Sequence, residues 1–402
     1  MREIILIHVT GEDRPGITAA LTGVLARYGV EILDLGQVVI HNTLTLGILI
    51  HIPAQSESAP ILKDVLFKAH ELGVELKLLP LSAKRYESWV KAQGKARHIV
   101  TLIARRVHAA QIERIAAALS AENLNIDRIT RLSGRVPLDG KSSRIACVEL
   151  SVRGTPKDPK ALRAHFLEAA QELGVDIALQ EDNVFRRNRR LVAFDMDSTL
   201  VQAEVIDELA KRAGAGAKVA AITERAMRGE LDFKESLRAR LSLLKGLPEK
   251  VLAEVAETLP LTEGAERLIA TLKRVGYKTA ILSGGFTYFG KRLQERLGID
   301  YVFANELEIK GGALTGKLAG PIVDGAKKAQ LLKKLAKAEN ISLQQVIAVG
   351  DGANDLPMLG LAGLGIAFHA KPKVKQGARQ AISNLGLDSI LFLIGFRERE
   401  TV

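Results

Sequence analysis

The residues with the clearest chemical potential are Asp195 and Asp197, two residues apart and followed by Ser198 and Thr199. They come directly after Leu191-Val192-Ala193-Phe194, an apolar run that reads as a strand buried on both faces. In an extended chain, residues i and i+2 project to the same side. Both carboxylates can therefore leave the C-terminal end of one strand, where open α/β sheets bind ligands. Carboxylates that close repel one another unless a cation sits with them, so the pair asks for an oxygen-liganded divalent metal. Taken alone, the same residues also describe an acidic turn after a strand.

Three later stretches change the balance. Ser283-Gly284-Gly285 follows an apolar run and offers a hydroxyl and exposed amides to an anionic oxygen. Lys328, just after Asp324-Gly325-Ala326, can neutralise phosphate charge. Asp351-Gly352-Ala353-Asn354-Asp355 supplies two more carboxylates and an amide. Each alone is an ordinary turn, helix or loop, but all of them fall at strand ends or helix starts of one alternating pattern. Helices are expected at 265–275, 289–297, 327–338 and 356–362, and strands at 277–282, 301–305, 346–349 and 364–368. Such alternation predicts a doubly wound parallel sheet. Residues 204 to about 261 show helix-period apolar positions and no convincing strand, as a helical cap over the strand ends would.

The N-terminal part carries an internal repeat. Residues 4–9 resemble 99–104, 25–32 resemble 119–126, and Glu71-Leu72-Gly73-Val74 returns as Glu172-Leu173-Gly174-Val175. The spacing between copies grows before the third match, which places an insertion in the second copy's hairpin, around residues 133–141. Each copy reads βαββαβ, a small sheet with one face under helices and the other open. In the first copy, Asp13-Arg14-Pro15-Gly16-Ile17 forms the turn into the first helix, whose free amides suit a carboxylate. The second copy has Arg105-Arg106-Val107-His108 there and lacks the Asp, Pro and Gly.

The βαββαβ pair resembles ACT domains, small regulatory modules that bind amino acids. The series from Asp195 to Asp355 resembles the haloacid dehalogenase superfamily of aspartate-nucleophile phosphotransferases, over Leu191 to about Leu393. The resemblance implies ACT domains at 1–82 and 96–182 and a phosphatase domain at 190–396, capped by about 204–262. It implies that Asp195 is the nucleophile and Asp197 the general acid and then base. Mg²⁺ would be held by Asp195, the Asp197 backbone carbonyl and Asp351. Ser283, Gly284 and Lys328 would hold the phosphoryl oxygens, Asn354 would fix the phosphate side, and Asp355 would order the metal's surroundings or Lys328. The cap matches the branch that acts on O-phospho-L-serine, with Glu204 on the ammonium, Arg240 on the carboxylate, and Met227 and Phe233 as an apolar wall. The expected reaction is hydrolysis to L-serine and phosphate through an aspartyl-phosphate, the last step of L-serine biosynthesis. Another phospho-amino acid, or a protein-bound phosphoserine or phosphothreonine, is the alternative substrate. Asp13 and Gly16 are the candidate effector site for L-serine, with a homodimer through the ACT domains. A dimerisation module without ligand is the competing reading.

Composition narrows the classes. The net charge of +11 invites a nucleic-acid partner, but the charge is spread along the chain and there is no stacking pattern among five Tyr, one Trp and eleven Phe. The densest basic run, residues 186–190, reads as a solvated linker or a surface patch. A single cysteine, Cys147, excludes an intramolecular disulfide and fits a reducing compartment. No run approaches the roughly 18 apolar residues of a membrane span, and the first residues do not form a signal peptide. A cytoplasmic enzyme with neither nucleic-acid nor membrane partner is expected.

Overall fold

The computed structural model describes residues 3–53, 55–135 and 145–401, without the side chains of Gln93 and Met227. The expected wall residue Met227 and positions 136–141 of the expected insertion therefore lie outside the described residues. The chain forms two units, residues 1–95 and 96–402.

The first unit runs β1 (Glu3–Glu12), α1 (Ile17–Arg27), β2 (Glu31–Ile40), β3 (Thr43–Ile52), α2 (Ser58–Glu71), β4 (Glu75–Leu81) and α3 (Ala83–Lys91). Its antiparallel sheet has the order β2-β3-β1-β4. Alternation along β1 sends Ile5, Ile7 and Val9 onto Ile17, Leu21 and Leu25 of α1 and Ile61 and Val65 of α2. The β2–β3 hairpin turns at His41 and Asn42, with His41 in the left-handed region (φ 58°) that two-residue hairpins favour. The helix α3 was not foreseen; it buries no residue, so no apolar stripe marks it.

The second unit opens with β5 (Arg97–Ala104), α4 (Ala109–Ala121), β6 (Asn125–Arg131), β7 (Ala146–Arg153), α5 (Pro159–Leu173) and β8 (Asp176–Glu181), in sheet order β6-β7-β5-β8. One face packs Val100, Leu102 and Leu150 against Ile115, Leu119, Leu162 and Phe166 of the helices. The other face is not open. Ile103, Cys147 and Ala178 join the same core as Leu391 and Phe392 near the C-terminus. The linker is likewise no solvated tether. Arg186 is 1% exposed and pairs with Glu149, while Arg189 donates from Nη1 to the Gln344 carbonyl at 2.5 Å. Guanidinium groups tolerate such burial when carboxylate or carbonyl oxygens meet them.

The remainder begins with β9 (Leu191–Phe194), followed by the cap helices α6 (Val205–Arg212), α7 (Gly216–Met227), α8 (Phe233–Ser242) and α9 (Lys250–Thr258). Then come α10 (Ala265–Arg274), β10 (Lys278–Phe286), α11 (Thr287–Leu297), β11 (Tyr301–Asn305), β12 (Leu307–Lys310), β13 (Ala313–Leu318) and α12 (Gly325–Ala338). The chain ends through β14 (Val346–Gly350), α13 (Leu356–Leu361), β15 (Leu364–Phe368), α14 (Pro372–Gly377), β16 (Gln380–Ile382) and α15 (Ile390–Leu393). Six strands form a parallel sheet in the order β11-β10-β9-β14-β15-β16. All four residues of β9 are fully buried; Leu191 and Ala193 face one core layer, Val192 and Phe194 the other. Strand order reverses at β9, the switch point where sheets of this type open a crevice. The β12–β13 hairpin, β16 and α14 extend the predicted set. The hairpin supports the cap: the Gly246 amide donates to the Leu314 carbonyl, and the Leu314 amide to the Leu247 carbonyl.

Candidate active site

The switch point delivers Asp195 and Asp197 to a cavity of about 180 Å³ between the sheet and the cap. The Asp195 amide still donates to the Val349 carbonyl of the neighbouring strand at 2.8 Å. Beyond it the chain turns sharply. Ser198 adopts φ 54°, and the amides of Thr199, Leu200 and Val201 converge on the Met196 carbonyl. The turn aims Asp197 at the start of α6, where its Oδ1 accepts from the Val205 amide at 3.2 Å. Asp195 Oδ1 accepts from the Met196 amide at 2.7 Å.

From the other side of the crevice, β10 continues four residues past its expected end. Ser283 Oγ accepts from the Gly285 amide at 2.9 Å. The two glycines answer to crowding. A Cβ on Gly284 would stand 2.9 Å from the Phe233 ring, and one on Gly285 2.4 Å from Asp197 Oδ2. Asn305, which the sequence reading overlooked, locks this strand end. Its Nδ2 donates to the Gly284 carbonyl and its Oδ1 accepts from the Val323 amide, both at 2.7 Å.

Lys328 is fully buried on the first turns of α12, which Asp324 caps by accepting from the Lys327 amide. Its Nζ lies 2.7 Å from Asp195 Oδ2 and 2.7 Å from Asp355 Oδ1. Burial works against the ammonium, but Asp195 and Asp355 outweigh it and raise its pKa. Asp355 Oδ2 accepts from the Gly352 amide at 2.9 Å.

Carboxylate oxygens of Asp195, Asp351 and Asp355 lie within 4.8 Å of one another. The Asp197 carboxylate is not in this cluster, so only its backbone could serve the same cation. Both Asp355 oxygens already have partners, Lys328 and Gly352, whereas Asp351 accepts only a 3.3 Å bond from Thr199 Oγ1 among the described residues. Burial, then repulsion from Asp195 and Asp355, pushes Asp351 up to about 8. This all-oxygen cluster, with one lysine for three carboxylates, could hold a divalent cation.

The cap contributes Glu204, Phe233 and Arg240 to the cavity wall, together with Ile206, Leu237 and the strand residue Phe286. The last three were not foreseen, although Leu237 sits one helical turn from Phe233. Glu204 Oε1 accepts from Ser198 Oγ at 2.8 Å. Burial is the main cause that holds Asp197 well above the usual carboxylate range, followed by repulsion from Glu204 and Asp195. Burial likewise raises Glu204. Arg240 Nε is buried and has no hydrogen-bond partner among the described residues. Asn354 lines the cavity beside Asp351 and Gly352.

The haloacid dehalogenase-like hydrolase family model matches residues 192–360, and ACT domain models match 3–78 and 96–180. The fold and site thus define a haloacid dehalogenase-like hydrolase with two ACT domains in front. A phosphoserine phosphatase of Mycobacterium tuberculosis is 42% identical over 397 residues, covering 98% of this chain and 94% of that protein. The phosphoserine phosphatase of Streptomyces coelicolor is 42% identical over 396 residues, covering 98% and 93%. A solved haloacid dehalogenase family hydrolase from Salmonella enterica serovar Typhi is 33% identical with a TM-score of 0.64, covering 74% of this chain and 98% of that one. Within its class, the chain belongs to the phosphoserine phosphatase family.

Proposed function

We propose that the chain hydrolyses O-phospho-L-serine to L-serine and phosphate through an aspartyl-phosphate on Asp195. The observation that carries this reading is the cavity's division of labour. Asp195 meets buried Lys328 at its sheet end, and Glu204 and Arg240 set opposite charges at its cap end. In the first half-reaction an Asp195 oxygen bonds to phosphorus while the phosphorus–serine oxygen bond breaks. Asp197, whose burial raises its pKa and so favours the acid form, gives its proton to the departing serine oxygen. In the second half Asp197 takes a proton from water, whose oxygen displaces the Asp195 carboxylate from phosphorus. Lys328, the Ser283 hydroxyl and the Gly284 amide hold the phosphoryl oxygens. Asp195, Asp351 and the Asp197 carbonyl would hold Mg²⁺, which supplies further neutralisation of phosphoryl charge. Glu204 takes the substrate ammonium and Arg240 its carboxylate. Phe233, Ile206 and Leu237 exclude water, and Asn354 and Asp355 steady the phosphate side and Lys328.

Arg240→Ala, assayed on phosphoserine and on phosphoethanolamine, tests the substrate. Loss of a charge-assisted bond worth about 1.5–3 kcal/mol predicts a KM for phosphoserine raised roughly 10- to 150-fold. Phosphoethanolamine, which lacks the carboxylate, should respond far less. Unchanged phosphoserine turnover sinks the assignment.

The reading extends to regulation and location. The proposed product, L-serine, is the proposed effector of the first ACT module, at the exposed turn holding Asp13 and Gly16. There the Asp13 amide donates to the Asn42 carbonyl at 2.7 Å, and Gly16 enters α1 at φ 96°. Calorimetry of the full chain with L-serine decides between a sensor and a ligand-free module. A homodimer is proposed through the ACT domains, supported by the edge strand β2, which exposes Ile32, Leu35, Val38 and Ile40. A cytoplasmic site of action, completing a route to L-serine, rests on the lone buried Cys147. No helix among the described residues is long and apolar enough to cross a membrane.

A further inference from the structure

Away from the catalytic cavity, the second unit holds a polar hollow of about 450 Å³ at the seam below its ACT sheet. The floor is the sheet face turned away from the helices, with Arg97 on β5, Arg128 on β6 and Glu149 on β7. Arg186 and Arg187 of the linker and Arg397 near the C-terminus complete the lining. Five arginines line the hollow against three carboxylates, Asp127, Glu149 and Asp182. Two of those acids are engaged already. Asp127 faces Arg153 at 3.1 Å and Arg97 at 3.7 Å, and Glu149 takes Arg186. No ion pair holds the side chains of Arg128, Arg187 or Arg397 among the described residues.

Arg186 is the informative member. It is 1% exposed and its Nη2 meets Glu149, yet its Nε is buried with no hydrogen-bond partner among the described residues. A buried guanidinium N–H without an acceptor costs the full desolvation of that group. Gly395 lies beside the same guanidinium, where a Cβ would stand 3.5 Å from Nη1. An anion entering the hollow would meet the three arginines that no ion pair holds, with the buried Arg186 guanidinium adding positive charge behind them. The volume suits a small molecule, within the usual range of ligand pockets.

We propose that this hollow binds a small polyanion, bearing phosphate or carboxylate groups, that bridges Arg128 of the ACT sheet, Arg187 of the linker and Arg397 of the C-terminal segment. None of these residues lines the catalytic cavity, and the proposal stands whether or not phosphoserine is the substrate. Titration calorimetry on the full chain with pyrophosphate, and separately with citrate, is the test. The Arg128→Ala/Arg397→Ala variant should bind at least tenfold more weakly than wild type while its phosphatase turnover stays unchanged. Arg187→Gln, an independent exposed change, should weaken binding several-fold. Binding of pyrophosphate alone assigns phosphate chemistry, of citrate alone carboxylate chemistry, and of both a general polyanion site. Absence of heat with both probes, or a Kd unmoved in both variants, overturns the proposal; the latter would put the anion elsewhere, as in the catalytic cavity.

Discussion

Replacing Lys328 by methionine keeps most of the side-chain volume and removes its charge. The ammonium stands 2.7 Å from both Asp195 and Asp355, in a position with no solvent exposure. Without it, two buried carboxylates face each other, with the Met196 and Gly352 amides as remaining partners. Breaking a buried ion pair by removing one member costs about 3–5 kcal/mol. Proton uptake limits that cost, so it depends on pH in a defined direction. Burial first, and then repulsion from Asp195, already pushes Asp355 up to about 7 with Lys328 present; the substitution moves it further up. A carboxyl whose folded pKa exceeds its unfolded value of about 3.9 binds more protons when folded, so stability falls as pH rises between the two. The deficit of Lys328→Met should therefore be small at pH 5 and reach about 2 kcal/mol by pH 8.5, since each pH unit above about 7 adds about 1.4 kcal/mol. Urea unfolding followed by circular dichroism, with chelator present, measures it. Adding Asp355→Asn should return part of the lost stability, because the two sites share one interaction, but none of the lost turnover. A deficit that is absent at pH 8.5, or the same at every pH, would refute the electrostatic account of this lysine.

Three other outcomes follow from the site. Asp195→Asn should abolish turnover and the labelled phospho-enzyme in acid-quenched samples; label on the variant would move the nucleophile elsewhere. Gly284→Ala places a Cβ 2.9 Å from the Phe233 ring, so kcat/KM should fall at least about tenfold, a loss of roughly 1.4 kcal/mol in transition-state binding. Phe233→Leu in the same chain should recover part of it, and additive losses would argue against the contact. Chelation should stop turnover and Mg²⁺ restore it. Because Asp351 is pushed up to about 8, Mg²⁺ must displace a proton at pH 6 but little at pH 9, so its effect on Tm should be larger at pH 9. A Tm shift independent of pH would count against Asp351 as a ligand.

The catalytic sheet was legible because its strands are apolar throughout and its polar residues cluster at their ends. Leu191 to Phe194 shows no alternation, which is how a doubly buried strand reads. The β12–β13 hairpin was hidden by Gly311 and Gly312, which read as a loop; both take positive φ in its turn. Arg186 was misread because charge alone suggests solvent, and its partner Glu149 lies 37 positions away. Asn305 had no sequence signal at all, since its two bonds reach Gly284 and Val323 from opposite directions. The covered face of the second ACT sheet left no trace. Residues 4–9 and 99–104 are both apolar in both phases apart from one residue, His8 and Thr101, yet β1 alternates between buried and partly exposed positions from Ile5 to Thr10 while β5 is buried from Ile99 to Ala104.

That covered face ties the second copy of the repeat to the catalytic sheet. The repeat ends at residue 182, and the compact unit that holds the catalytic sheet begins at residue 96. Amides in β5 and β7 should exchange with deuterium only through opening events that also expose the catalytic sheet, while those of β1 and β3 follow their own, separate opening. Truncation should obey the same line. A chain starting at residue 96 keeps its core intact, whereas one starting at residue 183 leaves Leu391 and Phe392 without Ile103 and Cys147 over them and should aggregate. The second ACT copy thus folds as a wall of the enzyme, and the first is left as the independent module.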